Sequence, residues 1–174
     1  MTDTDNVLIN RVAESDLQTV ALDELVKDHS IHSFDLKDYL FRGLILREKD
    51  FREALKAYTW SSLDGKYLAV HCSADAIIPM WAYLLISAYA TPHAKAIYFG
   101  TVEVVEEALL RKMIESTDWT HLTGKRVVIK GCSDKELPAS AYLTIANVLQ
   151  PIVQSMMYGE PCSTVPIFKR PRVV

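Results

Sequence analysis

Apolar positions in this chain fall into short blocks whose spacing switches between that of a strand and that of a helix. Tyr67 to Cys72 and Arg126 to Lys130 are brief apolar and β-branched runs, each preceded by a Gly-Lys turn, and are predicted as buried strands. After the first, Pro79 opens a segment in which Trp81, Leu84, Leu85, Ala88 and Tyr89 recur at helical spacing until Thr91-Pro92 stops it. After the second, Pro138 opens a longer segment with Tyr142, Ile145, Leu149, Ile152, Val153 and Met156 on one side. This pattern predicts one long helix ended by Gly159 and bent or broken near Gln150 by Pro151. Between the two blocks lie a third strand, Ala94 to Phe99, and a helix over about Val102 to Ile114, with Glu103, Glu106 and Glu107 near its positive end.

Strand and helix thus alternate three times, which predicts an α/β fold: a three-layer, largely parallel sheet built from tandem βα units, Rossmann-like or doubly wound. If the chain reverses after the second strand, the strand order is 2-1-3, and Cys72 and Cys132 end neighbouring strands at the ligand-binding edge. Comparing the chain with itself at an offset of 59 residues supports the tandem reading. Trp60, Leu63, Gly65, Lys66, Asp75, Pro79, Ala82 and Tyr83 match Trp119, Leu122, Gly124, Lys125, Asp134, Pro138, Ala141 and Tyr142. Two strand-to-helix units can also resemble one another for backbone reasons alone, since Gly-Lys turns and a proline at the first helical position recur. In residues 1–59, Val7 to Val12 and Ile31 to Leu36 are strand candidates, and Arg47 to Tyr58 reads as a helix burying Phe51, Leu55 and Tyr58. This segment is assigned as an N-terminal extension packing on the tandem core of residues 60–174, so that residues 1–174 form one domain.

Composition narrows the function classes. Apolar residues are 49% and charged residues 24% of 174, the balance of an ordinary globular chain. A net charge of -3 argues against general nucleic-acid binding. The basic cluster Lys169, Arg170, Arg172 reads as a solvated tail. No apolar run approaches the ~20 residues that span a bilayer, and the acidic start lacks a signal pattern. The cytoplasm is therefore the expected compartment, where three cysteines stay reduced and metal binding or thiol chemistry outranks a structural disulfide.

Each of the three cysteines is followed by serine: His71-Cys72-Ser73, Gly131-Cys132-Ser133 and Pro161-Cys162-Ser163. In the first two, a strand ends and a helix begins a few residues later, so backbone N-H groups and the helix dipole favour a thiolate. Converging thiolates would select zinc, copper(I) or an iron-sulfur centre over magnesium or calcium. Three protein ligands leave one position open, with Asp75, Asp134, His71 or Glu160 as candidate fourth ligand. His71 adjoins Cys72 on a strand, so the two side chains face opposite ways unless the strand has ended. The spacing matches no standard paired-ligand motif. Inert burial of a small apolar thiol and thiol chemistry without metal stay open as alternatives.

Other motifs are missing. His29, His32, His93 and His121 read as surface histidines, no glycine follows the first strand to cradle a phosphate, and no Gly-x-Ser-x-Gly elbow occurs.

Four stretches carry a resemblance: Leu44 to Arg52, Cys72 to Tyr83, Lys130 to Asp134, and Met157 to Pro166. Over nearly its whole length the chain resembles domain-of-unknown-function family 2480, a bacterial family with no assigned activity. The resemblance implies that all three Cys-Ser pairs belong to the family pattern. It tilts the metal toward iron or zinc, with metal or iron-sulfur assembly proteins as partners. It carries over no catalytic residue.

Three functions are consistent with these features. The first is a metal-binding protein holding one zinc, iron or iron-sulfur site through Cys72, Cys132 and Cys162, in metal or cluster handling. The second is a thiol-dependent enzyme with Cys132 as nucleophile. The third is a scaffold or homodimer using Trp60, Trp119 and Phe168 as a contact surface, although core or hinge packing suits both tryptophans better.

Overall fold

A computed structural model describes residues 17–130, 136–160 and 163–171. Among them, the strands are β1 (Leu17–Val20), β2 (Ile31–Asp35), β3 (Leu40–Phe41), β4 (Ile45–Leu46), β5 (Tyr67–His71), β6 (Ala96–Phe99), β7 (Arg126–Ile129), β8 (Ser155–Glu160) and β9 (Ser163–Lys169). The helices are α1 (Glu48–Ala57), α2 (Met80–Ala90), α3 (Val102–Ser116) and α4 (Ala139–Leu149). The strand candidate Val7 to Val12 lies outside the described residues. The chain divides into two compact units, residues 27–109 and residues 1–26 with 110–174, and the boundary falls inside α3.

In the unit of residues 27–109, β5 lies between β2 and β6, all three parallel. Leu68, Ala69 and Val70 are buried consecutively, because a parallel strand covered on both faces needs an unbroken apolar run rather than alternation. On one face Phe34, Leu36, Phe51, Leu55, Leu68, Val70 and Ile86 form the core, and on the other Ala69 packs with Val105 and Leu109 of α3. Helix α1 forms because Phe51 and Leu55 share one buried face, while Glu48 and Asp50 near its start and Lys56 near its end complement its dipole.

In the other unit the order is β1-β7-β8-β9, with β1, β7 and β8 parallel and β9 antiparallel to β8. Its core holds Val20, Leu22, Ile114, Leu122, Val127, Ile129, Ile145, Leu149, Val153 and Met156. The fold is therefore α/β with largely parallel sheets. The single sheet of order 2-1-3 does not form: both edges of β5 are taken by β2 and β6, and both edges of β7 by β1 and β8. The two strands belong to separate sheets, and the strand adjacency expected to bring Cys72 beside Cys132 is absent.

The offset of 59 residues reappears as structure. It relates β5 to β7, α2 to α4 and β6 to β8, and it maps individual hydrogen bonds onto one another. The Trp60 indole N-H donates to the Leu55 carbonyl at 2.7 Å and the Trp119 indole to that of Ile114 at 2.9 Å. The Lys95 and Gln154 N-H groups donate to the Lys66 and Lys125 carbonyls at 2.7 and 2.8 Å. The likeness reaches further than sequence identity. Strand β1 pairs with β7 as β2 pairs with β5, and each first strand runs into a 3-10 turn beginning with a buried leucine, Leu22 or Leu36.

Two expectations are corrected. Pro79 and Pro138 precede the first helical residue in extended conformation, rather than occupying it. The helix after Pro138 breaks at Gln150, where Pro151 is expected to interrupt it, but it does not resume: residues 155–160 form β8, with Met156 buried in the sheet. Pro151 has no N-H to continue the helix, so the helix ends although the apolar spacing runs on to Met156. Gly159 lies inside β8, in the left-handed region at φ 122°, where a Cβ would stand 2.5 Å from the Ser163 carbonyl oxygen. The two tryptophans and Phe168 do not form an outer surface: Trp60 and Trp119 are buried, and Phe168 packs against the core of its unit.

Candidate functional site

Parallel strands bring all their carboxyl ends to one edge, the edge where α/β sheets bind ligands. In the unit of residues 27–109 that edge carries Asp35 at the end of β2, His71 at the end of β5, and the loop beginning with Cys72. Asp35 and His71 are register partners. The Asp35 carboxylate accepts the Lys37 N-H at 2.9 Å, the Ser73 N-H at 3.0 Å and the Ser73 hydroxyl at 2.5 Å. Burial opposes ionisation of Asp35. The bonds from the Ser73 hydroxyl and the Lys37 and Ser73 N-H groups, with the nearby His71, outweigh it and hold the carboxyl down at about 2. Asp35 thereby ties the loop after β5 to the end of β2.

His71 and Cys72 part company. His71 Nε2 lies 2.9 Å from Ser33 Oγ, while Cys72 packs on the opposite face with the main core. The half-buried Cys72 thiol is free and donates to the Ala74 carbonyl at 3.5 Å. Burial pushes the neighbouring Tyr83 phenol up, and charge at Cys72 adds to the effect. Asp75 is exposed in the same loop.

The equivalent edge of the other unit is built differently. The positions matching Ser33, Asp35 and His71 hold Thr19, Ala21 and Lys130, so the carboxylate anchor is missing. Three polar atoms there are buried with no hydrogen-bond partner among the described residues: Asp23 Oδ1 in the 3-10 turn after β1, Ser140 Oγ in the first turn of α4, and Glu160 Oε1 at the end of β8. Each sits on an element that follows or ends one of the three parallel strands. Cys132 and Asp134 belong to the segment joining β7 to α4, and Cys162 stands between Glu160 and Ser163, which pair with each other. Cys132, Asp134 and Cys162 lie outside the described residues. Among the described residues no group of three His, Cys, Asp or Glu side chains is placed to hold a metal ion, and no helix is long and apolar enough to cross a membrane.

Reading the sequence singled out Cys72, His71, Asp75 and Glu160, and missed Asp35, Asp23 and Ser140. Asp35 has a legible signal, the alternation of Ser33 and Asp35 on a strand; Asp23 and Ser140 have none, because orphaned burial is a tertiary property. The remaining histidines have local partners. His93 Nδ1 lies 3.0 Å from Asp64, His32 Nε2 lies 2.7 Å from the Tyr58 hydroxyl, His29 meets the edge of Tyr67 and His121 stacks on Trp119.

The model of the family described as "Protein of unknown function (DUF2480)" matches residues 6–170, so the chain belongs to that family. No curated protein and no solved structure matches the chain.

Proposed function

We propose that this member of a family of unknown function is a metal-binding protein, with Cys132, Cys162 and Glu160 as ligands for one zinc, iron or iron-sulfur species. The observation that carries the reading is that two carboxylate oxygens, Asp23 Oδ1 and Glu160 Oε1, are buried with no hydrogen-bond partner among the described residues. A buried acceptor left unsatisfied costs about 1–3 kcal/mol, and a cation is one way of meeting that need. Glu160 is separated from Cys162 by one residue, and a thiolate beside a carboxylate suits zinc or iron. Cys72 is the third thiolate of the sequence reading, and its replacement separates a two-thiolate set from a three-thiolate one. Metal or cluster handling is the role that fits a site with a position left open.

Elemental analysis and an absorption spectrum of anaerobically purified protein test this reading. About one equivalent of zinc or iron is expected per chain, lost in Cys132→Ser and Cys162→Ser and held less firmly against a chelator in Glu160→Gln. Metal-free protein whose three thiols titrate freely would overturn it. Retention of metal in Cys72→Ser would fix the smaller ligand set.

A further inference from the structure

Helix α2 is apolar except for Ser87, and its outer stripe is exposed among the described residues. Trp81, Ala82, Leu85, Ile86 and Tyr89 face the core, while Met80 and Leu84 are 71% and 72% exposed and Ala88 continues the stripe outward. Ile77, 94% exposed, extends it before the helix, and Phe99, 74% exposed, extends it sideways through an edge-on contact with Tyr83 at 5.7 Å. The other unit supplies an internal control. At the positions of Met80, Leu84 and Ala88, helix α4 carries Ala139, Leu143 and Asn147, so this backbone arrangement accepts a smaller and more polar stripe. The apolar character of the α2 stripe is therefore not a requirement of the fold.

We infer that the α2 stripe is a self-association surface, occupied by the same stripe of a second copy of this chain across a two-fold axis. Three features select a second copy. The stripe has no charged residue, so it meets itself without repulsion or unpaired charge. When two such helices run antiparallel and cross at Leu84, the large Met80 of each falls opposite the small Ala88 of the other, and Leu84 meets Leu84, which is the self-complementarity an isologous contact needs. At roughly 200 Å² for a large side chain, the four exposed residues offer on the order of 600 Å², a little below the ~800 Å² per partner of a standard interface. The association is accordingly weak, with a Kd on the order of micromolar.

Sedimentation velocity on the full chain over a wide concentration range tests this. The mass should rise toward that of a dimer as concentration increases. Leu84→Lys should weaken association at least tenfold, and Leu143→Lys, the equivalent change on α4, should leave it unaltered. Circular dichroism checks that both variants fold. Geometry is read separately by oxidative cross-linking: chains carrying Leu84→Cys should form a disulfide dimer beyond the background of the parent chain, and Met80→Cys chains should cross-link to Ala88→Cys chains. A monomer at every concentration overturns the inference. So does a dimer that Leu84→Lys leaves intact, which would place the contact elsewhere, or a Leu84→Cys thiol closed to alkylation in a monomer, which would mean that the chain itself covers the stripe.

Discussion

Asp35 is the residue whose role is clearest, because three donors converge on it and its carboxyl is held at about 2. Asp35→Ala should lower stability by about 1–3 kcal/mol and loosen the loop carrying Cys72, read as faster alkylation of that thiol. Asp35→Asn keeps an acceptor for the N-H donors and should cost less. A carboxyl depressed from 3.8 to about 2 stabilises the fold fully above its unfolded value, and the contribution is lost as pH falls from about 4 to about 2. His32 gives a second pH dependence. Burial, then the Lys66 charge, lowers its pKa below the ordinary 6.5, so the unfolded chain takes up a proton more readily than the folded one. Stability should therefore decline as pH falls below about 6.5, and His32→Gln should flatten that decline in urea titrations at pH 5 and 8. An unchanged slope would remove His32 from the account.

At the scale of elements, the two tryptophans and Arg170 do matching work on helix ends. Trp60 and Trp119 donate to carbonyls in the last turns of α1 and α3, and the Arg170 guanidinium donates to the Gln150 and Pro151 carbonyls just beyond α4 at 3.0 and 2.8 Å. These carbonyls have no intrahelical donor or are near the point where such donors run out. Trp60→Phe and Trp119→Phe keep most of the buried ring and lose the bond, so each should lower the unfolding free energy by about 1 kcal/mol, measured by denaturant titration. Equal losses would agree with the structural repeat. Gly159→Ala should do more damage than its size suggests, because its φ of 122° is strained for alanine and its Cβ meets backbone rather than a movable side chain. A stable Gly159→Ala protein with unchanged metal content would show that the close approach of β8 and β9 is not needed to set the residues around Glu160.

For the molecule as a whole, the two units share a core of three parallel strands and the helix that follows the middle one, but differ in what they carry at the carboxyl ends of those strands. One holds the satisfied cluster of Asp35, Ser73, His71 and Ser33; the other holds buried oxygens of Asp23, Ser140 and Glu160 that have no partner among the described residues. If a metal binds there, it stabilises the native chain by mass action, about 2.7 kcal/mol at a free concentration of 100 Kd. For a chain of this size that amounts to a rise in Tm of roughly 5–10 °C. Chelation should reverse the rise in the parent protein and leave Cys132→Ser unmoved; equal responses would separate the thermal effect from the proposed ligands.

Local patterns determined much of this protein. The blocks that became β2, β5, β6, β7, α1, α2 and α3, and the tandem relation at an offset of 59, depend on spacing and turn chemistry within a few residues and were legible in the sequence. The region after Leu149 was not, because Ile152, Val153 and Met156 keep helical spacing while Pro151 and the pairing of β8 with β7 and β9 override it. Strand partnership was also beyond reach. Hydrogen bonding between β1 and β7 joins residues more than a hundred positions apart, and the two repeats draw their first strands from neighbouring stretches at a different offset, so no single alignment shift reveals both. The cysteine-serine pairs and Glu160 stood out by residue type, whereas the buried oxygens of Asp23 and Ser140 became visible only once tertiary packing had removed them from water with no partner among the described residues. Chemistry carried by a side chain can be read along the chain; its desolvation depends on distant segments, and only the folded structure decides it.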